Sequence, residues 1–354
     1  MILLKKTQFE ILLPKKSDIL CYDQGKKFND NVIKIFKSLK IDILYVRLEK
    51  INILVAIKSI ISKFFDFKQS LKNHYIKNYC YYSNPKVILS TSHLDNSFLY
   101  LKKNIFKNYK TVLVQRCPYK NTDFNINKNK PEIDQVYLFN TKSLKIINNK
   151  IKSKKFILGS FNNNNYKINK KKNGLILIIS GYKKNFETYN PNENKDYHLS
   201  IFYEKKLFNK IFKSFSKKYK IRILLKPEVK KNDFLNFSKI DKKYVMTNDG
   251  NPYKWIDRSN LVITLKNGTM GQETISRKVK NVEIPRKKIK NLNRFYIYNN
   301  KFDEVKIKIF LLKILRMSQK SYFNRMRKFH EDIIFFDPGN RLLKKNLLNL
   351  INHR

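Results

Sequence analysis

The stretch Leu261–Pro285, "LVITLKNGTMGQETISRKVKNVEIP", decides the fold. Leu261–Leu265 is bulky and apolar, Gly268 and Gly271 interrupt it, Glu273–Lys278 reads as a helix, and Val279–Pro285 reads as the next strand. A strand, a glycine turn and a helix start form a common cradle for a phosphate or a nucleotide ribose, because the helix start presents unpaired N–H groups. Glycine lets the backbone approach a ligand or turn sharply without a Cβ clash. Thr269 can cap the helix and bond a phosphate oxygen. Glu273 offers two acceptor oxygens to vicinal ribose hydroxyls. A tight strand-to-helix connection with a capping threonine explains the same residues without a ligand, so both readings stand at this point.

Working outward, apolar runs alternate with helix-period segments. Phe9–Leu13 reads as a first strand, Lys26–Leu39 as an amphipathic helix and Ile41–Val46 as a second strand. Helices follow at Ile51–Phe65 and Leu71–Tyr82, then strands at Lys86–Thr91, Thr111–Gln115, Gln135–Phe139 and Lys155–Leu158, with a helix near Asn96–Phe106. The polar stretch Asn162–Lys172, "NNNNYKINKKK", reads as an interdomain linker. Beyond it the rhythm restarts: strands at Gly174–Ile179, Ile221–Leu225, Tyr244–Met246, Leu261–Leu265 and Val282–Ile284, and helices at Leu199–Ser216 and Phe302–His330. Strands alternating with helices imply parallel sheets covered on both faces. The expectation is an α/β protein of two Rossmann-like domains facing across a cleft. The domains are 1–165 and 173–300, and the helices of 301–354 can pack back on the first.

The chain has 354 residues, 42% of them hydrophobic, enough for two cores. A formal charge of +49 points to an anionic partner: nucleic acid, lipid headgroups or a phosphorylated substrate. Lysine is spread along the whole chain together with abundant Asn and Ile, which is equally the mark of compositional drift on solvated faces. Cys21, Cys80 and Cys117 are too few and too far apart for disulfide staples or a zinc site, which fits a reducing cytoplasm. The longest apolar helix candidate, Ile51–Phe65, is too short to span a bilayer and carries Lys58, so membrane attachment would be peripheral.

Other candidates sit where strands end. Ser180, Gly181, Tyr182 and Lys183 follow a strand at the carboxyl edge of a parallel sheet, as do Lys226 and Glu228. Ser180, Lys183 and Lys184 can contact a diphosphate or a sugar carboxylate, and Lys226 can offset phosphate charge; a plain loop exit is the alternative. In the first half His93, Asp95 and Asn96 follow a strand. His93 can act as a base near neutral pH, and Asp95 can deprotonate an acceptor hydroxyl. Asp95 and Asn96 also suit helix capping. Gln115 and Arg116 end the next strand. No HExxH, GxxxxGK[ST], DxD or GxSxG is present, which argues against a zinc protease, a P-loop NTPase and a serine hydrolase.

These segments, in this order, resemble a family of bacterial surface-carbohydrate (O-antigen or capsule) biosynthesis proteins within the GT-B-type glycosyltransferases. The resemblance rests on "NPKVILSTSHLDNSFLYLKK", "YKTVLVQRC", "DQVYLFN", "KFILGSFNNN", "LILIISGYKK", "FYEKKLFNKIFK" and "RSNLVITLKNGTMGQETISRKVKNVEIP", most of residues 84–285. It implies a sugar nucleotide as substrate, held mainly by the second domain at Ser180, Lys183, Gly268, Thr269, Gly271 and Glu273. It also implies an acceptor near Asp95 and Asn96, with neither metal nor cofactor. The family's usual Gln-Asn-Gly reads Gln115–Arg116–Cys117 here, and its usual Ser-Thr-x-Gly reads Gly268–Thr269–Met270–Gly271.

The sequence therefore favours a transferase that moves a sugar from a nucleotide donor to a surface polysaccharide or a lipid-linked glycan. It would work in the cytoplasm, with a basic surface able to rest on anionic headgroups. The rivals are a basic nucleic-acid-binding protein, a sugar-nucleotide epimerase or hydrolase on the same scaffold, and a non-catalytic assembly partner.

Overall fold

The computed structural model describes residues 7–22, 26–46, 49–91, 96–116, 130–169, 173–183, 201–202, 204–208, 215–265, 269–284, 304–327, 331 and 333–352. It forms two compact units, Met1–Asn165 with Phe335–Arg354, and Tyr166–Ile334.

The strands of the first unit are β1 (Gln8–Glu10), β2 (Ile19–Tyr22), β3 (Ile41–Leu44), β4 (Lys50–Asn52), β5 (Val87–Ser90), β6 (Lys110–Val114), β7 (Glu132–Leu138) and β8 (Lys152–Ile157). Six of them form one parallel sheet in the order β3-β2-β5-β6-β7-β8. Its helices are α1 (Lys26–Ile35), α2 (Ile53–Phe65), α3 (Leu71–Ser83), α4 (Asn96–Asn104), α5 (Thr141–Ile147) and α6 (Phe161–Asn164). Alternate residues of each strand serve opposite faces. Leu20, Tyr22, Ile88 and Leu113 meet Val55, Ile76 and Phe98 on one side. Ile19, Cys21, Val87 and Leu89 meet Val32, Phe36, Leu343 and Leu347 on the other.

The second unit holds β9 (Leu175–Ile179), β10 (Lys220–Leu224), β11 (Val245–Met246), β12 (Ser259–Leu265) and β13 (Lys280–Ile284), with α7 (Lys231–Ser238), α8 (Tyr253–Asp257), α9 (Thr269–Ser276), α10 (Glu304–Arg316) and α11 (Gln319–Met326). Its parallel sheet runs β11-β10-β9-β12-β13. Ile176, Ile178, Ile223 and Ile263 pack with Ile307, Leu311 and Tyr322 on one face, and Leu177, Leu224 and Val262 with Tyr253 and Ile256 on the other. Lys280 crosses from the sheet to cap α10, its ammonium bonding the carbonyls of Ile314 and Leu315 at 2.9 and 3.0 Å. A cation there answers the negative end of the helix dipole.

Three sequence expectations change. The first strand of the large sheet is Ile19–Tyr22, fully buried, and not Phe9–Leu13. Of the latter only Phe9 and Glu10 are extended, within Gln8–Glu10, which pairs with β4 in a separate two-stranded sheet. The start of the supposed linker is structured: Ser160 caps α6, and Asn163 and Asn164 are buried. The C-terminal helices divide. α10 and α11 belong to the core of the second unit, and only α12 (Arg341–Asn352) packs on the first.

Candidate functional site

In the second unit the chain starts in the middle of the sheet, runs outward through β10 and β11, then returns to the other side of β9 as β12. Crossover connections to either side of β9 leave a crevice between the carboxyl ends of β9 and β12, the place where open α/β sheets bind ligands. Ile179 pairs with Thr264, so the residues leaving the two strands set out side by side. After β9 come Ser180–Lys183. After β12 the described chain resumes at Thr269, where α9 begins, four residues before the expected start at Glu273. Thr269 is half-buried and Lys183 is exposed. Gly268 lies outside the described residues.

The β9 exit is held from below by opposite charges. Glu204 Oε2 accepts the Gly181 N–H at 2.9 Å, and Lys226 Nζ donates to the Gly181 carbonyl at 3.0 Å. The Tyr182 N–H donates to Ser180 Oγ at 3.1 Å. Ser180 and Glu204 are both buried. Burial raises the Glu204 carboxyl to about 7, although the Ser180 hydroxyl, the Gly181 N–H and Lys226 all pull the other way. A carboxylate loses hydration inside a protein, and these partners replace only part of it. Ser180 and Lys226 thus shape the loop whose outer member is Lys183. Glu204 was not anticipated, because a charge on a helix normally reads as a solvated face.

Gly271 meets a different need from the one the sequence suggested. A Cβ there would sit 2.3 Å from Glu283 Oε1 and 2.9 Å from both Asn281 Nδ2 and Thr264 Oγ1. The missing side chain lets α9 lie directly on the polar ends of β12 and β13. Glu273 is also interior, and Tyr253 donates its hydroxyl to Glu273 Oε2 at 3.0 Å. Burial and the neighbouring carboxylate hold the Tyr253 phenol well above its ordinary range, so it remains a donor.

Behind this edge lies a network that the sequence reading passed over. Arg277 grips Asp257 with two nitrogens, Nε to Oδ1 and Nη2 to Oδ2, each at 2.6 Å. The same guanidinium donates to the carbonyls of Tyr166 and Lys167 at 3.0 and 2.9 Å, while the Asn169 N–H donates to Asp257 at 2.8 Å. Both charged side chains are buried. The planar fork of arginine suits this arrangement and an ammonium does not. An arginine standing out in a lysine-rich chain was the available signal.

In the first unit the strand order turns between β2 and β5, so the residues after β5 leave at that switch. His93 and Asp95 lie in that connection, outside the described residues, and Asn96 opens α4. Gln115 points inward: its Nε2 donates to Ser143 Oγ at 3.0 Å, and its Oε1 accepts the Phe139 N–H at 2.7 Å. Its amide therefore joins β6 to the β7 exit instead of facing an acceptor. Arg116, one residue on, is exposed. Among the described residues no group of three or more His, Cys, Asp or Glu could hold a metal ion.

No family model matches the chain. No curated protein matches it either. Solved structures do match in fold. The wall teichoic acid polymerase TagF, soaked with CDPG, is similar at TM-score 0.54 and 10% identity over 95% of this chain and 89% of that one. The glycotransferase of kitacinnamycin matches at 0.52 and 9% over 95% and 100%. A putative UDP-N-acetylglucosamine 2-epimerase from Listeria monocytogenes matches at 0.52 and 9% over 93% and 95%. The fold is thus the mixed α/β, parallel-sheet fold of GT-B-type structures.

Proposed function

We propose that the chain is a nucleotide-sugar-dependent glycosyltransferase that extends a surface polysaccharide or a lipid-linked glycan at the inner face of the cytoplasmic membrane. The observation that carries this reading is the pairing of Ile179 with Thr264 at the strand-order switch of the second unit, which sends the Ser180–Lys183 exit and the chain leading to α9 out from neighbouring strand ends. The N–H groups at the start of α9 and the Lys183 ammonium suit the diphosphate of a donor. Ser180, Lys226 and Glu204 hold the loop, and Gly271 with the Tyr253–Glu273 pair sets the helix beside it.

The acceptor hydroxyl oxygen forms a bond to the anomeric carbon while the carbon–oxygen bond to the donor phosphate breaks. The electron pair leaves with the nucleoside diphosphate, and the hydroxyl proton passes to a base. The reading gives that base role to Asp95 or His93, with Asn96 and Arg116 on the acceptor side. Preorganised dipoles and cations stabilise the departing phosphate without a metal. Support comes from the similar folds, two of which are described as a polymerase and a glycotransferase.

The structure described as an epimerase keeps a second reading in view. Chromatography of donor incubated with and without glycan acceptor separates the two. Nucleoside diphosphate release that requires acceptor is the expected result. Donor turnover of equal rate without acceptor sinks the transferase reading.

A further inference from the structure

Helix α2 is built inside out. Its buried positions are Val55 and Ser59. Ser59 Oγ bonds the Val55 carbonyl at 2.6 Å, and Asn78 of α3 reaches Ser59 and Ser62 at 3.1 and 3.3 Å. The inward seam is therefore narrow and partly polar: Val55 joins the core, while Ser59 and Ser62 are hydrogen-bonded to Asn78. The outward stripe is apolar: Leu54, Ile57, Ile61, Phe64 and Phe65 are exposed, the last at 87%. Their spacing places them along one side of the helix. An ordinary surface helix shows the reverse pattern.

The apolar stripe does not end with the helix. Asn52, its N-cap, donates to the Leu12 carbonyl, and β1 pairs with β4 immediately before α2. This anchors Ile11 and Leu12 beside the helix, and Leu12 is 82% exposed. Beyond the other end Phe67 and Leu71 are exposed as well. Between α2 and α3 opens a cavity of about 360 Å³, lined by Ile51, Ala56, Ile60, Leu71 and Ile76, with Lys72 among its walls. Monomeric soluble proteins rarely leave so continuous an apolar surface uncovered.

Charge decides what covers it. Lys58 lies over the rings of Tyr81 and Tyr82, at 4.5 and 4.7 Å from their centroids. Lys68, Lys72 and Lys77 are exposed around the same helices. Of the acidic residues nearby, Glu10 is paired with Lys50, Asp42 accepts the Tyr79 hydroxyl, and Asp66 accepts the Lys68 N–H. A second copy of a chain carrying +49 would be repelled. An anionic bilayer would be attracted, with each lysine near the surface adding to binding. A helix of 13 residues is too short to cross, and no described helix is long and apolar enough to do so.

We infer that α2 and the Ile11–Leu12 segment form a monotopic docking face for an anionic lipid bilayer. The helix lies in the interface plane with Ile57, Ile61 and Phe64 among the acyl chains, aromatic rings at headgroup depth and lysines on the phosphates. This deepens the proposed function by giving it a membrane contact, yet it stands on its own observations and fails separately from the donor site.

The test is co-sedimentation with vesicles. The unaltered chain is expected to bind phosphatidylcholine vesicles containing about a third phosphatidylglycerol roughly tenfold or more tightly than phosphatidylcholine alone. Ile61→Asn with Phe64→Asn should weaken binding by about tenfold or more, because each removes an inserted apolar group. Both side chains are exposed, so the thermal midpoint and donor binding should not move; those two readings separate a lost membrane contact from a lost fold or a failed donor site. The inference is overturned if the unaltered chain ignores anionic vesicles or if the double variant binds them equally well. It is also overturned if the chain sediments as a dimer that the variant splits, for the face would then belong to a second copy.

Discussion

Asn164 and Asn340, 176 residues apart, bond through buried side chains, Asn164 Nδ2 donating to Asn340 Oδ1 at 3.1 Å. Asn340 in turn donates to the Phe161 carbonyl at 3.0 Å and to Asn165 Oδ1 at 2.8 Å, while Asn164 Oδ1 accepts the Asp337 N–H at 3.1 Å. These bonds fasten the segment leading into α12 onto the first unit. Asn340 also holds a left-handed backbone, φ 53°. Asn340→Ala strands several buried groups and forces alanine into that conformation, at a cost of about 2–4 kcal/mol in urea unfolding. Asn340→Gly loses the amide but relaxes the backbone, so it should cost less than alanine.

The Arg277–Asp257 pair gives a sharper result. Arg277→Met leaves a buried carboxylate without its fork and frees the Tyr166 and Lys167 carbonyls. The expected loss is about 3–5 kcal/mol, measured by chemical denaturation. Arg277→Lys should recover little of it, since an ammonium cannot serve four acceptors in one plane.

Glu204 should make the second unit respond to pH. Its folded carboxyl is raised to about 7 from an ordinary value of 4.5, so the folded state holds the proton more tightly than the unfolded chain. Stability from this group is complete below the unfolded value and falls as pH climbs from there to about 7. Glu204→Gln keeps the neutral shape and abolishes the slope. The unaltered chain should therefore lose on the order of 2–3 kcal/mol relative to Glu204→Gln between roughly pH 4.5 and pH 8. Parallel stability curves for the two proteins would contradict the assignment.

Gly271 should not accept even a methyl group. Its three nearest neighbours are the buried side-chain ends of Glu283, Asn281 and Thr264, so those side chains must move or the helix must lift. Gly271→Ala is expected to cost about 1–3 kcal/mol, read as a lowered unfolding midpoint.

Much of the fold could be read from the chain because strands of a parallel sheet are buried on both faces and stand out as continuous apolar runs, as at Leu175–Ile179 and Ser259–Leu265. Ile19–Tyr22 stands out weakly because it is only four residues long, and Phe9–Leu13 nearby is a longer run, broken by Glu10, that belongs to the surface. The pull of Asn and Lys on the composition hid Asn163 and Asn164, whose burial no local pattern reveals. At the candidate site, the strand ends were legible: β9 and β12 end as neighbours, with Ser180 following the one and the chain toward Thr269 following the other. The supports were not, because Glu204 and Tyr253 reach it from other elements, and Arg277, although in the same stretch, bonds Asp257 and the Tyr166 and Lys167 carbonyls from segments distant in sequence. Gly271 was recognised as special for the wrong neighbour, a ligand instead of the sheet beneath it.

The most direct test of the donor site is a thermal-shift titration with UDP-, GDP-, CMP- and dTDP-linked sugars, repeated on Lys183→Ala. One nucleotide class should raise the midpoint of the unaltered chain, by about 2.7 kcal/mol of stabilisation at a hundredfold excess over its Kd. The variant should unfold at the same temperature without ligand and need about tenfold more donor for the same shift. Absence of stabilisation by every class, or an undiminished response in the variant, would contradict a donor held at the β9–β12 edge.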